Sequence, residues 1–294
     1  MQSSVALNVG LPIALFIIML GLGLSLKLED FTRTLTHPKP MIVGIICHSL
    51  ILPLLCLGLV YISDLPPAIA VGVMLLAVSP GGTSASLYSH LARGDAALSI
   101  AFAGVTTLLA TITLPIVAQF SMLHFYGEGE AVSVEMTQVL QIFAIAIVPA
   151  TIGAFIRSRR PHISQRLERP VKILATLFLA AVVLFALISQ WHLVLAWGPV
   201  VGLAVLVFNI ASLLVGYYVP LSLGVARRQA VALSMSIGIH NAALVIALAL
   251  SVYMLNNSEI AIAPAMYGLL AYFTSAFFVW ILNRSEAGTG AQAG

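Results

Sequence analysis

The sequence consists of long apolar runs separated by short polar segments, and every acidic and basic residue lies in or beside those segments. Each run has about 20 residues or more, the length that an α-helix needs to cross a bilayer. Only 8% of the residues are charged, against roughly 25% in soluble domains. Because lipid offers no hydrogen-bond partner to the backbone, runs of this kind must be helical. The sequence therefore predicts an all-α integral membrane protein.

We predict nine transmembrane helices, which form a single transporter domain over residues 1–294. No basic segment precedes the first apolar run, so we expect a retained helix and not a cleaved signal. The Gly- and Ala-rich tail 285–294 is predicted to be disordered. The predicted spans lie near residues 7–26, 41–62, 68–91, 97–121, 136–156, 173–190, 197–219, 229–254 and 260–282.

The basic residues predict how these helices are oriented. With the N-terminus outside, all 13 Lys and Arg residues fall on the cytoplasmic side, and the outer loops carry only acids. This distribution follows the positive-inside rule. The short loops and the lack of a sorting signal predict a bacterial inner-membrane protein with a cytoplasmic C-terminus. We expect a monomer and no nucleic-acid partner.

Two predicted spans contain residues that disfavour a continuous helix. The third contains Pro80, Gly81 and Gly82, and the eighth contains Gly238 with polar neighbours. Proline removes a backbone donor, and glycine accepts unwound backbone angles. Spans that are five apart run in opposite directions, so the paired breaks predict an inverted repeat in which spans 1–4 match spans 6–9. A kink that serves only helix packing is the alternative reading.

A break at mid-depth exposes the N-terminus of the second half of each helix. Free N–H groups and the positive end of the helix dipole attract an anion there. Thr83 and Asn241 stand at the starts of the two half-helices, where a hydroxyl or an amide can cap the helix or bind a carboxylate. The sequence therefore predicts that Thr83 and Asn241 contact a small organic anion.

Several motifs spread over most of the chain carry a family likeness. Residues 80–83 read PGGT and are followed by LARGDAALS at 91–99, while 21–27 read GLGLSLK and 238–241 read GIHN. Together they resemble the bile acid:sodium symporter family in its nine-helix form. The resemblance implies a panel domain beside a core domain in which the two broken helices cross. It also implies a substrate contact for Thr83 and Asn241, and relatives carry anions as small as keto acids and pantoate-like compounds.

The resemblance further implies a coupling-ion region, in which this chain departs from the family pattern. Ser236 replaces a glutamate that two sodium ions share, and His48 and His240 replace glutamines. A serine–asparagine pair and a threonine become Ala85, Ser86 and Ala103, and only Ser99 keeps its hydroxyl. We expect weakened sodium sites, because no acid within the spans replaces the glutamate. No cofactor is expected, since Na⁺ or H⁺ is transported and no resident metal is predicted.

His48 and His240 suggest a proton in place of sodium as the coupling ion. Both histidines lie within apolar runs, at positions that the resemblance assigns to one ion site. Two close imidazoles can share a single proton. The alternative is that both rings are neutral and only pack between helices.

Other function classes are less compatible with the sequence. An enzyme would need a motif such as HExxH or GxSxG, and neither occurs. A channel or uncoupled facilitator is the main alternative, because broken helices also build pores. A sensor built on a transporter scaffold is a further alternative. Saturable, concentrative uptake would distinguish a symporter from both.

Overall fold

The computed structural model describes residues 13, 16–21, 23–25, 38–127, 136–251 and 254–290, and most of them are helical. Within these ranges four helices are long and apolar enough to cross a membrane: Pro38–Ser63, Ala96–Tyr126, Trp191–Ser222 and Ile262–Arg284. Residues 7–12 of the predicted first span, Lys27 and Arg33 lie outside the described residues. The chain is an integral membrane protein of the all-α class.

The helices are numbered here in chain order. The segment Pro38–Ser63 combines α2, a π-helical turn and α3 in one rod. The bounds are α1 Phe16–Ser25, α2 Pro38–Ile46, the π-turn Cys47–Ile51, α3 Leu52–Ser63, α4 Pro67–Ala77, α5 Ala85–Leu91, α6 Ala96–Tyr126, α7 Met136–Arg159, α8 Pro161–Ser189, α9 Trp191–Ser222, α10 Arg227–Gly238, α11 Ala242–Leu250 and α12 Ile262–Gly290.

Helix α6 illustrates how these apolar helices present one face to lipid. Leu108, Ile112 and Ile116 follow one another at a spacing of four residues and are 54%, 62% and 61% exposed. A soluble protein would bury such a stripe, whereas lipid solvates it. The buried face carries Thr106 and Thr107, whose hydroxyls donate to the carbonyls of Phe102 and Ala103 in the preceding turn. These two buried hydroxyls are thus satisfied within the helix itself.

The predicted third and eighth spans are each interrupted in the structure. Helices α4 and α5 are separated by residues 78–84, and α10 and α11 are separated by residues 239–241. The four short helices α4, α5, α10 and α11 pack against α6, α9 and α12. Gly216 lets α9 approach α10 closely, because a Cβ atom at Gly216 would lie 2.7 Å from the Cα atom of Ser234. The two breaks consequently lie in the buried centre of the protein.

Three local predictions differ from the structure. The basic stretch 157–172, predicted to separate two spans, is helical except at Arg160, and Pro161 begins α8. Proline is favourable at a first helical position because its missing N–H would be unpaired there anyway. The segment 191–196 between the predicted sixth and seventh spans is helical and belongs to α9, so only Gln190 interrupts the two helices. Helix α12 continues to Gly290 although disorder is predicted from residue 285, since extending an existing helix fixes one residue per added hydrogen bond. Residues 291–294 lie outside the described residues.

Candidate functional site

The two interrupted segments cross and are joined by backbone hydrogen bonds. The N–H of Gly82 donates to the carbonyl of Ile239 at 2.6 Å, and the N–H of Asn241 donates to the carbonyl of Pro80 at 2.9 Å. Gly81 and His240 form an isolated antiparallel bridge between these bonds. Unwound backbone inside a membrane needs partners of its own. Each interrupted segment therefore supplies hydrogen-bond partners for unwound backbone groups of the other.

Glycine is required where the two segments approach. A Cβ atom at Gly81 would lie 2.9 Å from the carbonyl oxygen of Ser236, and one at Gly82 would lie 3.1 Å from that of Ile239. The N–H of Gly81 also donates to the hydroxyl of Thr106 on α6 at 3.3 Å. The Pro-Gly-Gly motif thus interrupts the helix and, because glycine has no side chain, lets the two backbones come close.

The carbonyl at the end of α10 is held by two side chains from neighbouring helices. The amide of Asn209 on α9 donates to the Gly238 carbonyl at 2.6 Å, and the hydroxyl of Tyr267 on α12 donates to it at 2.7 Å. The Asn209 amide is also 3.0 Å from the Tyr267 hydroxyl, and its oxygen accepts from Thr274. The sequence analysis missed these residues. The available sequence signal was Asn209 itself, a single amide side chain inside the apolar run of α9.

A cavity of about 320 Å³ opens beside the crossing. It is bounded by α1, the two breaks, the first turns of α5 and α11, and α12. None of the described residues that line it is charged. They are Ile18, Gly21, Gly82, Thr83, Ser84, Ser86, Leu87, Ile239, His240, Asn241, Ala242, Ala243, Gly268, Ala271 and Tyr272.

Thr83 and Asn241 both line this cavity but differ in their relation to the helices. Asn241 is the N-cap of α11, and its side-chain oxygen accepts from the N–H of Leu244 at 3.1 Å. Thr83 lies two residues before the first helical residue of α5, so it does not begin that helix as predicted. Ser84 occupies the N-cap position without a capping side-chain bond. The Asn241 oxygen is therefore engaged, and its NH₂ group is the part suited to an external anion.

His48 and His240 are neighbours, with ring centroids 5.7 Å apart and ring planes inclined by 31°. Both side chains are buried, at 2% and 5% exposure. Neither Nδ1 of His48 nor Nε2 of His240 has a hydrogen-bond partner among the described residues. Nδ1 of His240 lies 3.3 Å from the carbonyl oxygen of Ser79. Of the two histidines, His240 is among the described residues that line the cavity and His48 is not.

The π-helical turn carries His48. The N–H of Leu52 donates to the carbonyl of Cys47, five residues earlier. Pro53 follows directly and has no N–H to offer the carbonyl of Ser49, so an α-helical bond is impossible there. Turns of this type are frequent at functional sites. Pro53 is the sequence signal for this π-helical turn, which was not predicted from the sequence.

The remaining residues of the predicted coupling-ion region fall into two places. Ser99 on α6 and Ser236 on α10 are buried, and their hydroxyl oxygens lie 2.7 Å apart. Ser86 instead lines the cavity, and its hydroxyl is 3.5 Å from the carbonyl of Thr83. Groups of three or more acidic, His or Cys side chains that could hold a metal ion are absent from the described part of the chain.

Comparisons with known proteins relate this chain to a family of membrane transporters. The model of the "Sodium Bile acid symporter family" matches residues 12–197, which end before α10. The "Uncharacterized sodium-dependent transporter YocS" of Bacillus subtilis is 26% identical over 95% of this chain and 86% of its own length. The "Probable sodium/metabolite cotransporter BASS1, chloroplastic" of Arabidopsis thaliana is 26% identical over 81% of this chain. The human "P3 protein" is 30% identical over 87% of it. This chain spans only 58% and 54% of the length of the last two relatives.

Proposed function

Because the chain belongs to the sodium bile acid symporter family, we propose that it is a secondary active symporter that carries a small organic anion across the bacterial inner membrane. Membership of a symporter family makes the chain a membrane transporter and not an enzyme. It also supports sodium as the coupling ion, since the relatives from Bacillus subtilis and Arabidopsis thaliana are named as sodium-dependent or sodium-coupled transporters.

The neutral cavity at the crossing carries the proposal of an anionic substrate. The first turn of α11 contributes Asn241, Ala242 and Ala243 to its wall. N–H groups at a helix N-terminus and the positive end of its dipole favour a negative charge. The NH₂ group of Asn241 and the hydroxyl of Thr83 add donors at the same wall. The described residues of the lining include no acid, so none of their side chains carries a charge that would repel an anion.

The size of the cavity supports a small substrate. A volume of 320 Å³ corresponds to about ten water molecules at roughly 30 Å³ each. It is at the lower end of the range for small-molecule sites. We therefore propose a monocarboxylate of about ten heavy atoms, a class to which pantoate and branched keto acids belong, and we expect no uptake of a bile acid. Apolar wall residues such as Ile18 and Leu87 would contact its carbon skeleton.

Two coupling ions remain as proposals. Sodium would have to be held by neutral oxygens, of which the Ser99–Ser236 pair is the nearest match to the expected region. A proton would instead be held by His48 and His240. An uncoupled facilitator or a transporter-like sensor is the alternative function, and it predicts no concentrative uptake.

The test is uptake of radiolabelled pantoate, 2-oxoisovalerate, pyruvate and taurocholate into proteoliposomes, with sodium and pH gradients imposed separately. We expect saturable accumulation of at least one of the three small carboxylates, driven by one of the gradients, and no uptake of taurocholate. Equilibration without accumulation would favour the facilitator and contradict symport.

Asn241→Asp provides the sharpest variant for this test. Aspartate keeps the capping oxygen of α11 but places a negative charge in the cavity wall. We expect a folded protein whose uptake is lost. Asn257→Asp is the matched control, because Asn257 lies outside the cavity and its side-chain oxygen accepts from the N–H of Glu259. Unchanged uptake in Asn241→Asp would refute an anion at this position.

A further inference from the structure

The membrane segments around the crossing contain no fixed charge. No Asp, Glu, Lys or Arg occurs in residues 40–63, 96–126, 191–222, 229–251 or 262–283. An anion in the cavity would therefore lack a permanent counter-charge, although a charge in a low-dielectric site is costly without one. A side chain that can acquire a positive charge beside the cavity would remove this cost.

His240 has a nitrogen, Nε2, that can accept a proton. A carbonyl oxygen only accepts hydrogen bonds, so the contact between Nδ1 of His240 and the carbonyl of Ser79 assigns the hydrogen to Nδ1. Nε2 is then the unprotonated nitrogen of the neutral ring, and it is buried without a partner among the described residues. A buried acceptor without a donor is an exception that calls for an explanation. A proton that binds only during transport provides one.

The surroundings of the two rings suit a single positive charge. The ring of Phe208 is stacked on His240 with centroids 5.6 Å apart, and the ring plane of Phe102 is inclined by 84° to that of His48 with centroids 6.0 Å apart. The face of Phe208 at this distance stabilises a cation on His240. The ring of Tyr267 also faces His240, at 5.6 Å. Two charges on imidazoles 5.7 Å apart would repel each other, so the pair is limited to one proton.

Among the described residues, the other titratable groups beside the pair are Cys47 and Tyr267, with Cys56 next to Tyr267. Cys47 precedes His48 in the π-turn, and the thiol of Cys56 donates to the carbonyl of Val73 at 3.4 Å. Tyr267 donates to the carbonyl of Gly238. Neutral thiols and a neutral phenol carry no charge near pH 7. None of them supplies the missing counter-charge, which leaves the two histidines.

We infer that His48 and His240 together bind one proton, and that this proton is the counter-charge of the anion, so that one proton and one monoanion occupy the site as a neutral pair. The inference rests on the proposed function, since it needs an anion in the cavity. His240 connects the two sites because the residue lines the cavity and its ring lies against that of His48.

Binding of proton and anion must then be reciprocal. A bound anion raises the affinity of the pair for a proton, and a bound proton raises the affinity for the anion by the same factor. Where the free pair is unprotonated, the dissociation constant of the anion should rise about tenfold per pH unit. About one proton should be taken up for each anion bound.

The experiment measures proton uptake on binding with the purified full-length chain, which is free of membrane gradients. Pantoate and 2-oxoisovalerate are added to the protein in weakly buffered detergent solution containing potassium and no sodium. Calorimetry gives the binding constant, and a pH indicator gives the protons taken up, between about pH 5 and 8. His48→Gln and His240→Gln remove one ring each, and His192→Gln, at an exposed position in the first turn of α9, is the matched control.

We expect about one proton per bound anion in the unmodified chain and in His192→Gln, and no proton uptake in His48→Gln or His240→Gln. Binding of either carboxylate by the unmodified chain without proton uptake across this range would overturn the inference while leaving the anion site intact. Binding that requires sodium and releases or takes up no proton would overturn it equally. If neither carboxylate binds and no carboxylate is accumulated by proteoliposomes, the proposed function fails as well.

Discussion

The carbonyl of Gly238 permits a direct test of how the second break is held. It accepts one hydrogen bond from Asn209 and one from Tyr267. Tyr267→Phe removes a hydroxyl without changing the ring, and Asn209→Leu replaces the amide by an apolar side chain of similar size. The Thr274 hydroxyl, which also bonds Asn209, retains its bond to the carbonyl of Leu270. The two substitutions therefore act on one shared acceptor and on the bond between the Asn209 amide and the Tyr267 hydroxyl, which either substitution removes.

The expected energies are not additive. Each single substitution leaves the Gly238 carbonyl with one donor, so each should lower the free energy of unfolding by about 1 kcal/mol, as interhelical hydrogen bonds in membranes typically do. The double substitution leaves a buried carbonyl with neither side-chain donor. An unsatisfied buried acceptor costs about 1–3 kcal/mol more. We therefore expect the double variant to lose roughly 3–5 kcal/mol. The Asn209–Tyr267 bond is lost once in the double variant but in both single variants, so the excess over the sum of the single losses should be about 0.5–2.5 kcal/mol.

The measurement is a double-mutant cycle of unfolding by sodium dodecyl sulfate in mixed micelles, followed by tryptophan fluorescence. Tyr218→Phe, at an exposed tyrosine of α9, controls for the loss of a phenolic hydroxyl and should be neutral. If the double variant lost no more than the two single variants together, the two side chains would not share this carbonyl, and the break would be stabilised by other contacts.

Two further changes address the remaining features of the crossing. Gly81→Ala places a methyl group about 2.9 Å from a backbone oxygen, so we expect loss of uptake and a lower thermal unfolding midpoint. Gly58→Ala is the control, because a methyl group there meets nothing within 4 Å, and it should leave both unchanged. Equal behaviour of the two variants would contradict the close approach of the two interrupted segments at Gly81. Pro53→Ala restores the N–H that allows an α-helical bond, so we expect the π-turn to become α-helical and His48 to lose its position beside His240. Uptake driven by a pH gradient should then fall while the protein remains folded. Unaltered pH dependence would show that the turn does not position His48.

The sequence predicted the places of the two breaks but not the contacts that stabilise them. Proline and glycine act on their own backbone, so Pro80, Gly81 and Gly82 indicate an interruption wherever the segment lies in the fold. The hydrogen bonds across the crossing join residues about 160 positions apart, such as Gly82 with Ile239. Periodicity along the chain carries no information on which distant segment supplies the partner.

In the candidate site, too, local features were predicted from the sequence and the arrangement of distant residues was not. Thr83 and Asn241 were predicted from helix capping and from the family likeness, and both line the cavity. Tyr272, which lines it from α12, was not predicted, because an aromatic residue in an apolar span is indistinguishable from one that faces lipid. The predicted coupling-ion region was treated as one group, whereas Ser86 lies at the cavity and Ser99 with Ser236 lies elsewhere. The separation depends on helix rotation, which the sequence leaves undetermined.

The absence of fixed charge around the crossing has a consequence for the transport cycle. A carrier that returns empty with both histidines neutral moves no charge through the membrane, and a carrier loaded with one proton and one monoanion moves none either. Each uncompensated charge would experience about 2.3 kcal/mol per 100 mV of membrane potential. Sodium with a monoanion in a one-to-one ratio would also be neutral, so electroneutral exchange alone does not identify the ion. On our proposal, the histidine pair would differ from a sodium site in that its charge would appear on the protein itself, beside the cavity, and only while the anion is bound there to stabilise it.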